Sequence, residues 1–299
     1  MSVLNKFVVT VLPVIPKAVV GQVAKRYIAG VTLQDGVRVV QELNRKGMMA
    51  TMDLLGEDVT QVSEATAVKD NILAIFRAIR DNSIGSNVSV KPTQLGLKID
   101  SEICYQNIRA IVEQARSQSN FVRIDMEDAS TTEQTLDIYR RLRKDGYTNL
   151  GVVVQAYLHR SEADVTALVK EGANVRLCKG IYDESPAIAF KDRRQIRDNF
   201  LKLLRFLLEG GSYVGIATHD DFLIDGAMEL IGKLGVKPTQ YEFQMLLGVR
   251  ENRRDQIVQA GHRLRVYVPY GEQWYAYSTR RLKENPHMAW YITKAIFVR

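Results

Sequence analysis

The sequence predicts an α/β protein, a single TIM-like (β/α)8 barrel preceded by an extra N-terminal helical segment of about residues 1–45. Three observations predict this fold. Short apolar or β-branched runs alternate with longer stretches of helical periodicity, as in βα units around a parallel sheet. These runs number eight, which is the strand count of the barrel. The chain contains neither a GxGxxG nor a P-loop motif, which would favour an open nucleotide-binding sheet instead.

The eight strands are each predicted from one such run. They are residues 48–52, 88–91, 121–125, 150–155, 174–179, 213–218, 241–244 and 264–268. Amphipathic helices are predicted between them, for example at 133–143, 162–171, 193–208 and 253–260. With 299 residues, 46% of them hydrophobic, the chain suits one barrel domain spanning 1–299.

The charge and the cysteines limit the possible partners. A net charge of +7 suits an anionic cofactor, an anionic membrane surface or nucleic acid. We expect no nucleic-acid binding, because no basic run is interleaved with aromatics and the cluster at 250–254 carries acidic partners, typical of a solvated helix face. Cys104 and Cys178 form no CxxC pair, which argues against a disulfide framework or a zinc site and favours a reducing, cytoplasmic location.

The first 16 residues are apolar but contain Pro13 and Pro16, and they are fewer than the roughly 20 that a membrane span needs. We expect either a helix packed on the barrel or a contact with a membrane surface.

Polar residues end six of the eight predicted strands, and the active sites of such barrels lie at the carboxyl ends of the strands. Any single residue of this kind could equally be a solvated strand end. Together they predict one pocket, formed by Lys91, Asp125, Gln155, Lys179, Thr218 with His219, and Gln244.

These strand-end segments resemble those of the proline dehydrogenase family. The matching segments are KPTQLG at 91–96, RIDMED at 123–128, VVVQAY at 152–157, VRLCKGIY at 175–182, ATH at 217–219, EFQML at 242–246, VYVPYG at 266–271 and YSTRRLKE at 277–284. The resemblance covers nearly the whole chain after the first strand. It implies FAD-dependent oxidation of L-proline to 1-pyrroline-5-carboxylate by hydride transfer to the flavin, the first step in the breakdown of proline to glutamate.

The last segment bears on the substrate. On a helix, Tyr277, Arg280, Arg281 and Glu284 share one stripe, and two guanidinium groups can hold a carboxylate. From the residues alone, an ordinary surface stripe remains open. The resemblance implies that Arg280 and Arg281 bind the proline carboxylate, that Tyr277 shapes the proline pocket, and that Glu284 steadies an arginine.

The resemblance also implies roles for the strand ends. Arg176 lies beside the reactive flavin nitrogen, where a cation stabilises developing negative charge. Lys91 and Asp125 end neighbouring strands and should approach one another in the barrel mouth. The resemblance implies that they act as a pair at the substrate end, where Asp125, a catalytic residue, positions Lys91 or helps to accept the amine proton. The implied cofactor-binding residues are Met126, Gln155, Lys179, Gly180, Ile181, Thr218 and His219.

Several neighbouring residues carry smaller predictions. Arg123 should point the same way as Asp125, deeper in the barrel. Glu127 and Asp128 are predicted to be solvated or helix-capping. No metal site is expected, because no second histidine stands at ligand spacing from His219. Three positions depart modestly from the family pattern, namely Cys178, Ile181 and Asp220.

The family's electron acceptor is a membrane quinone, so the basic charge and the apolar N-terminus are consistent with peripheral attachment to the inner face of the cell membrane. A separate pyrroline-5-carboxylate dehydrogenase is expected to complete the path to glutamate. Two alternatives stay open: a barrel lyase or aldolase that forms a Schiff base at Lys91 or Lys179, and a non-catalytic barrel that binds lipid or protein.

Overall fold

The structure, a computed structural model, describes residues 21, 24–56, 58–275, 277 and 278. Within these residues eight parallel strands follow one another around a closed barrel, and β8 pairs with β1 to complete it. The predicted barrel is confirmed. The strands are β1 (Met49–Leu54), β2 (Ser86–Val90), β3 (Val122–Ile124), β4 (Leu150–Gln155), β5 (Val175–Cys178), β6 (Val214–Ala217), β7 (Tyr241–Leu246) and β8 (Leu264–Tyr270).

The α-helices of the described residues alternate with these strands. They are α1 (Leu33–Arg45), α2 (Val62–Asp81), α3 (Ser101–Ser117), α4 (Thr132–Lys144), α5 (Ser161–Lys170), α6 (Arg193–Glu209), α7 (Asp221–Leu234) and α8 (Glu251–Gln259). Side-chain caps define several starts. Thr32 and Asp35 form a reciprocal capping box at α1, while Asp100 and Asp192 accept backbone N–H groups at α3 and α6.

Helix α1 precedes the first strand, yet it packs against both β8 and β1. Its approach is close, because a Cβ added at Gly36 would lie 2.7 Å from Cε of Met52 and 3.3 Å from Cδ1 of Tyr270. Val40 of the same helix is fully buried. Helix α1 therefore covers the groove between β8 and β1, which a helix following β8 covers in a regular barrel. It is the described part of the predicted N-terminal helical segment, and residues 1–20 lie outside the described residues.

The two faces of the barrel wall differ in chemistry. Side chains that face the helices are apolar and form the hydrophobic core, for example Met52, Val88, Ile124, Val152, Leu177, Ile216, Phe243 and Val266. Side chains at the intervening positions of several strands are polar and hydrogen-bonded to other strands inside the barrel, including Thr51, Asn87, Ser89, Arg123, Arg176, Gln244 and Arg265. The interior is thus a buried polar network surrounded by an apolar layer.

Glycines on the inner face make room for this network. A Cβ at Gly151 would lie 2.5 Å from Nη1 of Arg123, and one at Gly215 would lie 2.4 Å from Nε2 of Gln244. Arg123 points into the barrel as predicted, where its guanidinium donates to Val152 O and Asn174 O, each at 2.8 Å. The long polar side chains of Arg123 and Gln244 fit inside the barrel because the neighbouring positions are glycines, which have no side chain.

The basic cluster on α8 is only partly solvated. Arg250 and Arg253 pair with Asp221 and Asp225 of α7, whereas Arg254 is buried, which contradicts the predicted solvated face at that position. Among the described residues, no helix is both long and apolar enough to cross a membrane.

Candidate active site

Arg176 of β5 lies at the centre of the polar network, near the carboxyl ends of the strands. Its guanidinium donates from Nε to Gln244 Oε1 at 2.6 Å, from Nη1 to Asp125 Oδ1 at 2.6 Å and from Nη2 to Ser89 Oγ at 3.1 Å. Only 7% of Arg176 is exposed. Three of its N–H groups therefore have acceptors on three other strands or strand ends, so the cation is held in one orientation.

Gln244 continues the network down the barrel. Its Nε2 donates to Glu242 Oε1 at 2.6 Å, and the same carboxylate accepts from both Arg265 and Tyr213. Burial raises the pKa of Glu242, but the charge and hydrogen bonds of Arg265 outweigh it and leave the pKa at about 2. This lower part of the network is therefore an ionised, fully paired support for Arg176.

Lys91, which follows β2, makes an ion pair of 2.5 Å with Oδ1 of Asp53 on β1. Its Nζ also donates to the hydroxyl of Tyr267 on β8 at 3.4 Å, and that hydroxyl donates to Asp125 Oδ2 at 3.2 Å. Lys91 and Asp125 thus approach as predicted, but they are joined through Tyr267. The ion-pair partner of Lys91 is Asp53, while Asp125 pairs with Arg176.

Burial and neighbouring charge shift the pKa values of Lys91 and Asp53 in opposite directions. Burial lowers the pKa of Lys91, but the negative charges of Asp53 and Asp125 outweigh it, so the net pKa lies above the ordinary lysine value. Burial raises the pKa of Asp53, and Lys91 offsets this only in part. Burial also raises the pKa of Tyr267 well above its usual value, so its hydroxyl keeps its proton.

Sequence reasoning missed Asp53 and Tyr267. The predicted first strand ended at Met52, whereas β1 continues to Leu54. The signal that could have found both is the alternation of strand residues: Asp53 lies two positions beyond Thr51, and Tyr267 two beyond Arg265, so all four side chains point into the barrel.

A second group of predicted residues lies at the ends of β4 and β5. Gln155 is 3% exposed, and its Nε2 donates to the carbonyl oxygen of Glu127 at 3.2 Å. Its Oε1 is a buried acceptor for which the described residues provide no hydrogen-bond donor. Met126 is buried nearby, on the segment whose carbonyl oxygens Gln155 contacts. Since buried acceptors are normally satisfied, the free Oε1 fits a ligand that donates an N–H.

Gly180 follows β5 with a φ of +99°, a conformation that favours glycine. A Cβ at this position would lie 2.1 Å from Cδ1 of Tyr157. Ile181, the next residue, is 49% exposed, and its predicted contact with the cofactor stays a prediction.

Lys179 lies at the rim of the mouth, where its Nζ is 3.3 Å from Asp220 Oδ2. Arg197 and Arg193 of α6 approach the same carboxylate, at 2.6 Å and 3.6 Å. Burial raises the pKa of Asp220, but Arg197 and Lys179 outweigh it and leave the pKa at about 2. This rim carries three cations around one carboxylate and therefore favours an anionic group.

His219 accepts the backbone N–H of Leu246 through Nε2 at 2.8 Å, and Thr218 Oγ1 accepts the N–H of Asp220 at 3.2 Å. Across the described ranges of the chain, no cluster of three or more histidine, cysteine or acidic side chains could hold a metal ion. His219, just after β6, thus binds the backbone of β7 through this hydrogen bond from Leu246.

The prediction that Glu127 is solvated is wrong. The residue is 8% exposed, and its carboxylate accepts from both the backbone N–H and the hydroxyl of Thr93, at 2.9 Å and 2.7 Å. Thr93 lies in the first turn of the short 3-10 helix Pro92–Leu95 after β2, so Glu127 caps that helix from the segment after β3. Asp128 does cap a short helical turn by accepting from the N–H of Ser130, as predicted.

Tyr277 is buried at this same end of the barrel. It packs in a small apolar cluster with Ala24, Ile28, Leu55 and Trp274, and Leu55 directly follows β1. The predicted substrate residues Arg280 and Arg281, with Glu284, lie outside the described residues.

A depression of about 340 Å³ lies at the opposite, amino-terminal end of the strands. The charged groups that line it include Arg123, Glu242 and Arg265, and they are largely satisfied by one another and by backbone carbonyls. Residues at this end of a barrel contribute to stability, whereas the carboxyl ends hold the active site.

A closed parallel barrel with an oriented arginine, a partly buried lysine and a paired carboxylate at the carboxyl ends of its strands defines a (β/α)8-barrel enzyme. The proline dehydrogenase family model matches residues 37–292. The chain belongs to the proline dehydrogenase family.

Individual relatives agree with this assignment. The chain is 40% identical over 273 residues to proline dehydrogenase 1 of Bacillus subtilis, covering 91% of this chain and 90% of that protein. It is 33% identical over 277 residues to a proline dehydrogenase of Deinococcus radiodurans, covering 91% and 89%. Among solved structures, proline utilization A (PutA) from Bdellovibrio bacteriovorus, inactivated by N-propargylglycine, matches with a TM-score of 0.83 at 26% identity. That match covers 93% of this chain and about a third, 34%, of the PutA chain.

Proposed function

We propose that this enzyme oxidises L-proline to 1-pyrroline-5-carboxylate, with non-covalently bound FAD as the hydride acceptor, as the first step of proline breakdown to glutamate. The observation that carries the proposal is the buried network of Arg176, Asp125, Tyr267, Lys91 and Asp53 at the barrel mouth, in a chain of the proline dehydrogenase family. It supplies one oriented cation for the cofactor and another for a carboxylate substrate.

The residues present fit a flavin. The free Oε1 of Gln155 can accept an N–H of the isoalloxazine ring, and the cationic rim around Lys179 suits the pyrophosphate. The residues that would hold FAD are Met126, Gln155, Lys179, Gly180, Ile181, Thr218 and His219. FAD, when bound, supplies the two-electron acceptor.

The protein's own groups then act on charge and orientation. Arg176 stabilises negative charge that develops on the cofactor, and Asp125 and Gln244 keep its guanidinium in place. Lys91 binds the proline carboxylate together with Arg280 and Arg281. Tyr277 closes the apolar side of the proline pocket.

Lys91 also bears on the Schiff-base alternative. A lysine nucleophile must be neutral, and enzymes achieve this by lowering its pKa. The pKa of Lys91 is instead raised, because the charges of two aspartates outweigh its burial. The buried ammonium therefore favours ionic binding of a carboxylate over attack on a carbonyl.

We further propose that a membrane quinone reoxidises the cofactor and that the enzyme is cytoplasmic, with peripheral attachment at the inner membrane face. The net charge of +7 supports attraction to an anionic bilayer. A separate pyrroline-5-carboxylate dehydrogenase then takes the product to glutamate.

The test is a visible spectrum of the purified protein under anaerobic conditions, before and after addition of L-proline. We expect a flavin spectrum that proline bleaches, together with proline-dependent reduction of a dye acceptor. An Arg281→Ala variant should lose affinity for proline and for a proline-like carboxylate inhibitor. A colourless protein that cannot be reconstituted with FAD would contradict the proposal, and borohydride trapping of a carbonyl substrate on Lys91 or Lys179 would favour the aldolase alternative.

A further inference from the structure

Asp53 is the most completely buried carboxylate at the barrel mouth. Its residue exposure is 1%, and its ion-pair partner is Lys91, at 2.5 Å from Oδ1. The second oxygen, Oδ2, accepts no well-aligned hydrogen bond in the part of the chain that the structure describes, although the Tyr267 hydroxyl is close enough to lower the pKa of Asp53. A buried carboxylate with one oxygen incompletely satisfied is costly to keep, which points to a role beyond packing.

Lys91 has donors to spare in this arrangement. An ammonium group has three N–H donors, of which Asp53 and the Tyr267 hydroxyl take two. The lysine side chain is 21% exposed, whereas that of Asp53 is 2% exposed. Lys91 therefore lies between the closed interior and the open mouth, and the residues that the structure describes leave one of its donors for a group that enters from the mouth.

The other acidic groups near Lys91 cannot take the place of Asp53. Asp125 is held by the guanidinium of Arg176 and by Tyr267, and Glu127 accepts two hydrogen bonds from Thr93. Both act on Lys91 through charge alone. Asp53 is thus the carboxylate that both neutralises the lysine and fixes the direction of its side chain.

We propose that Asp53 is a positioning residue, which holds Lys91 charged and aimed at the substrate carboxylate. This inference rests on the proposed function, because it takes proline as the substrate. Asp53 of β1 then contributes to substrate binding indirectly, through Lys91, which follows β2. Among the described residues, the groups that face Lys91 are Asp53, Tyr267, Asp125 and Glu127, and of these Asp53 makes the direct ion pair with it.

The test compares Asp53→Asn with the wild-type holoenzyme in steady-state proline oxidation across pH. Loss of a charge-assisted contact is expected to raise KM for proline by about tenfold to a hundredfold, with a much smaller change in kcat. Without its counter-ion the partly buried lysine loses its proton more readily, so the alkaline limb of the kcat/KM profile should move about one pH unit or more toward lower pH. A purely structural role would not move this limb.

Asp58→Asn is the matched control, because it removes an aspartate that is also paired with a lysine, Lys98, but at an exposed site in the segment between β1 and α2. It should leave both KM and the pH profile unchanged. Flavin content and thermal unfolding check that each variant is folded and loaded.

A double-mutant cycle with Lys91→Met separates the inference from the proposed function. If Asp53 acts through Lys91, adding Asp53→Asn to Lys91→Met should change KM less than twofold. If Lys91→Met itself leaves proline binding intact, the proposed role of Lys91 fails, and the inference with it. If Lys91→Met impairs binding but Asp53→Asn does not, or if the two effects are additive, the inference alone is overturned.

Should Asp53→Asn not fold, Asp53→Glu carries the test, because it keeps the charge but moves it by one methylene. We expect a raised KM with the alkaline limb retained. An unchanged KM would overturn the inference.

Discussion

Gly180→Ala is expected to destabilise the protein by about 2–5 kcal/mol. A residue other than glycine in the left-handed region costs about 1–2 kcal/mol, and the φ of Gly180 is +99°. The new Cβ would also lie 2.1 Å from Cδ1 and 2.2 Å from Cε1 of Tyr157, whose ring is only 5% exposed. Forcing a buried ring aside adds about 1–3 kcal/mol.

Gly172→Ala provides the matched control. Gly172 has a φ of +61°, and a Cβ there would meet no atom within 4 Å, so only the backbone cost of about 1–2 kcal/mol applies. Urea unfolding of the flavin-free proteins gives the free energy of each variant. When Tyr157 is replaced by leucine, the clash with its ring is gone. Gly180→Ala in a Tyr157→Leu background should therefore cost only the backbone part of the free energy. A cost for Gly180→Ala no larger than that for Gly172→Ala would refute the reasoning.

Three further predictions concern the polar network. Arg176→Lys keeps the charge but loses the oriented fork, so kcat for proline oxidation should fall about a hundredfold or more; a kcat within threefold of the wild type would contradict this. Tyr267→Phe removes the hydroxyl that accepts from Lys91, so kcat/KM should fall about tenfold at unchanged flavin content, and an unaltered value would exclude the bridge. The pKa of Glu242, at about 2, lies below its ordinary 4.5, so its stabilisation is complete above about pH 4.5 and is lost as the pH falls toward 2. Glu242→Gln leaves Arg265 without its counter-ion. The difference in unfolding free energy between the wild type and this variant should shrink by about 3 kcal/mol as the pH is lowered from 4.5 to 2. A difference that stays constant over this pH range would show that Glu242 does not cause the loss of stability in acid.

The strands could be predicted because each carries an apolar residue at every second position. These apolar residues, such as Val88 and Ile216, lie on the outer face of the barrel wall, where the helices bury them. The lengths were less accurate, since β3 spans only Val122–Ile124 and β1 extends two residues beyond its predicted end. Hydrogen bonding between strands sets these ends, and it depends on the partner strand.

The candidate site was predictable to the extent that its residues end strands. Lys91, Asp125 and Gln155 were found in this way, and the structure brings Lys91 and Asp125 together through Tyr267. Asp53 was missed because the predicted first strand stopped at Met52, one residue before it, and that strand was therefore not counted among the strands with a polar end. The pairing of Lys91 with Asp53 depends on how far the lysine side chain extends toward the neighbouring strand β1, which a strand pattern does not contain.

Glu127 illustrates the opposite error. A carboxylate in a loop resembles a solvated group in sequence, and only the approach of Thr93 from the neighbouring loop buries it. Loop-to-loop contacts of this kind follow from the closure of the barrel.

The placement of α1 between β8 and β1 has a practical consequence for anyone who shortens or fuses this protein. An expression product that starts after residue 45 would uncover Met52 and Tyr270, which are 0% and 4% exposed, and would leave the seam of the barrel open to water and to other chains. Affinity tags and fusion partners therefore belong ahead of the capping box at Thr32, since the wall of the catalytic barrel begins before its first strand.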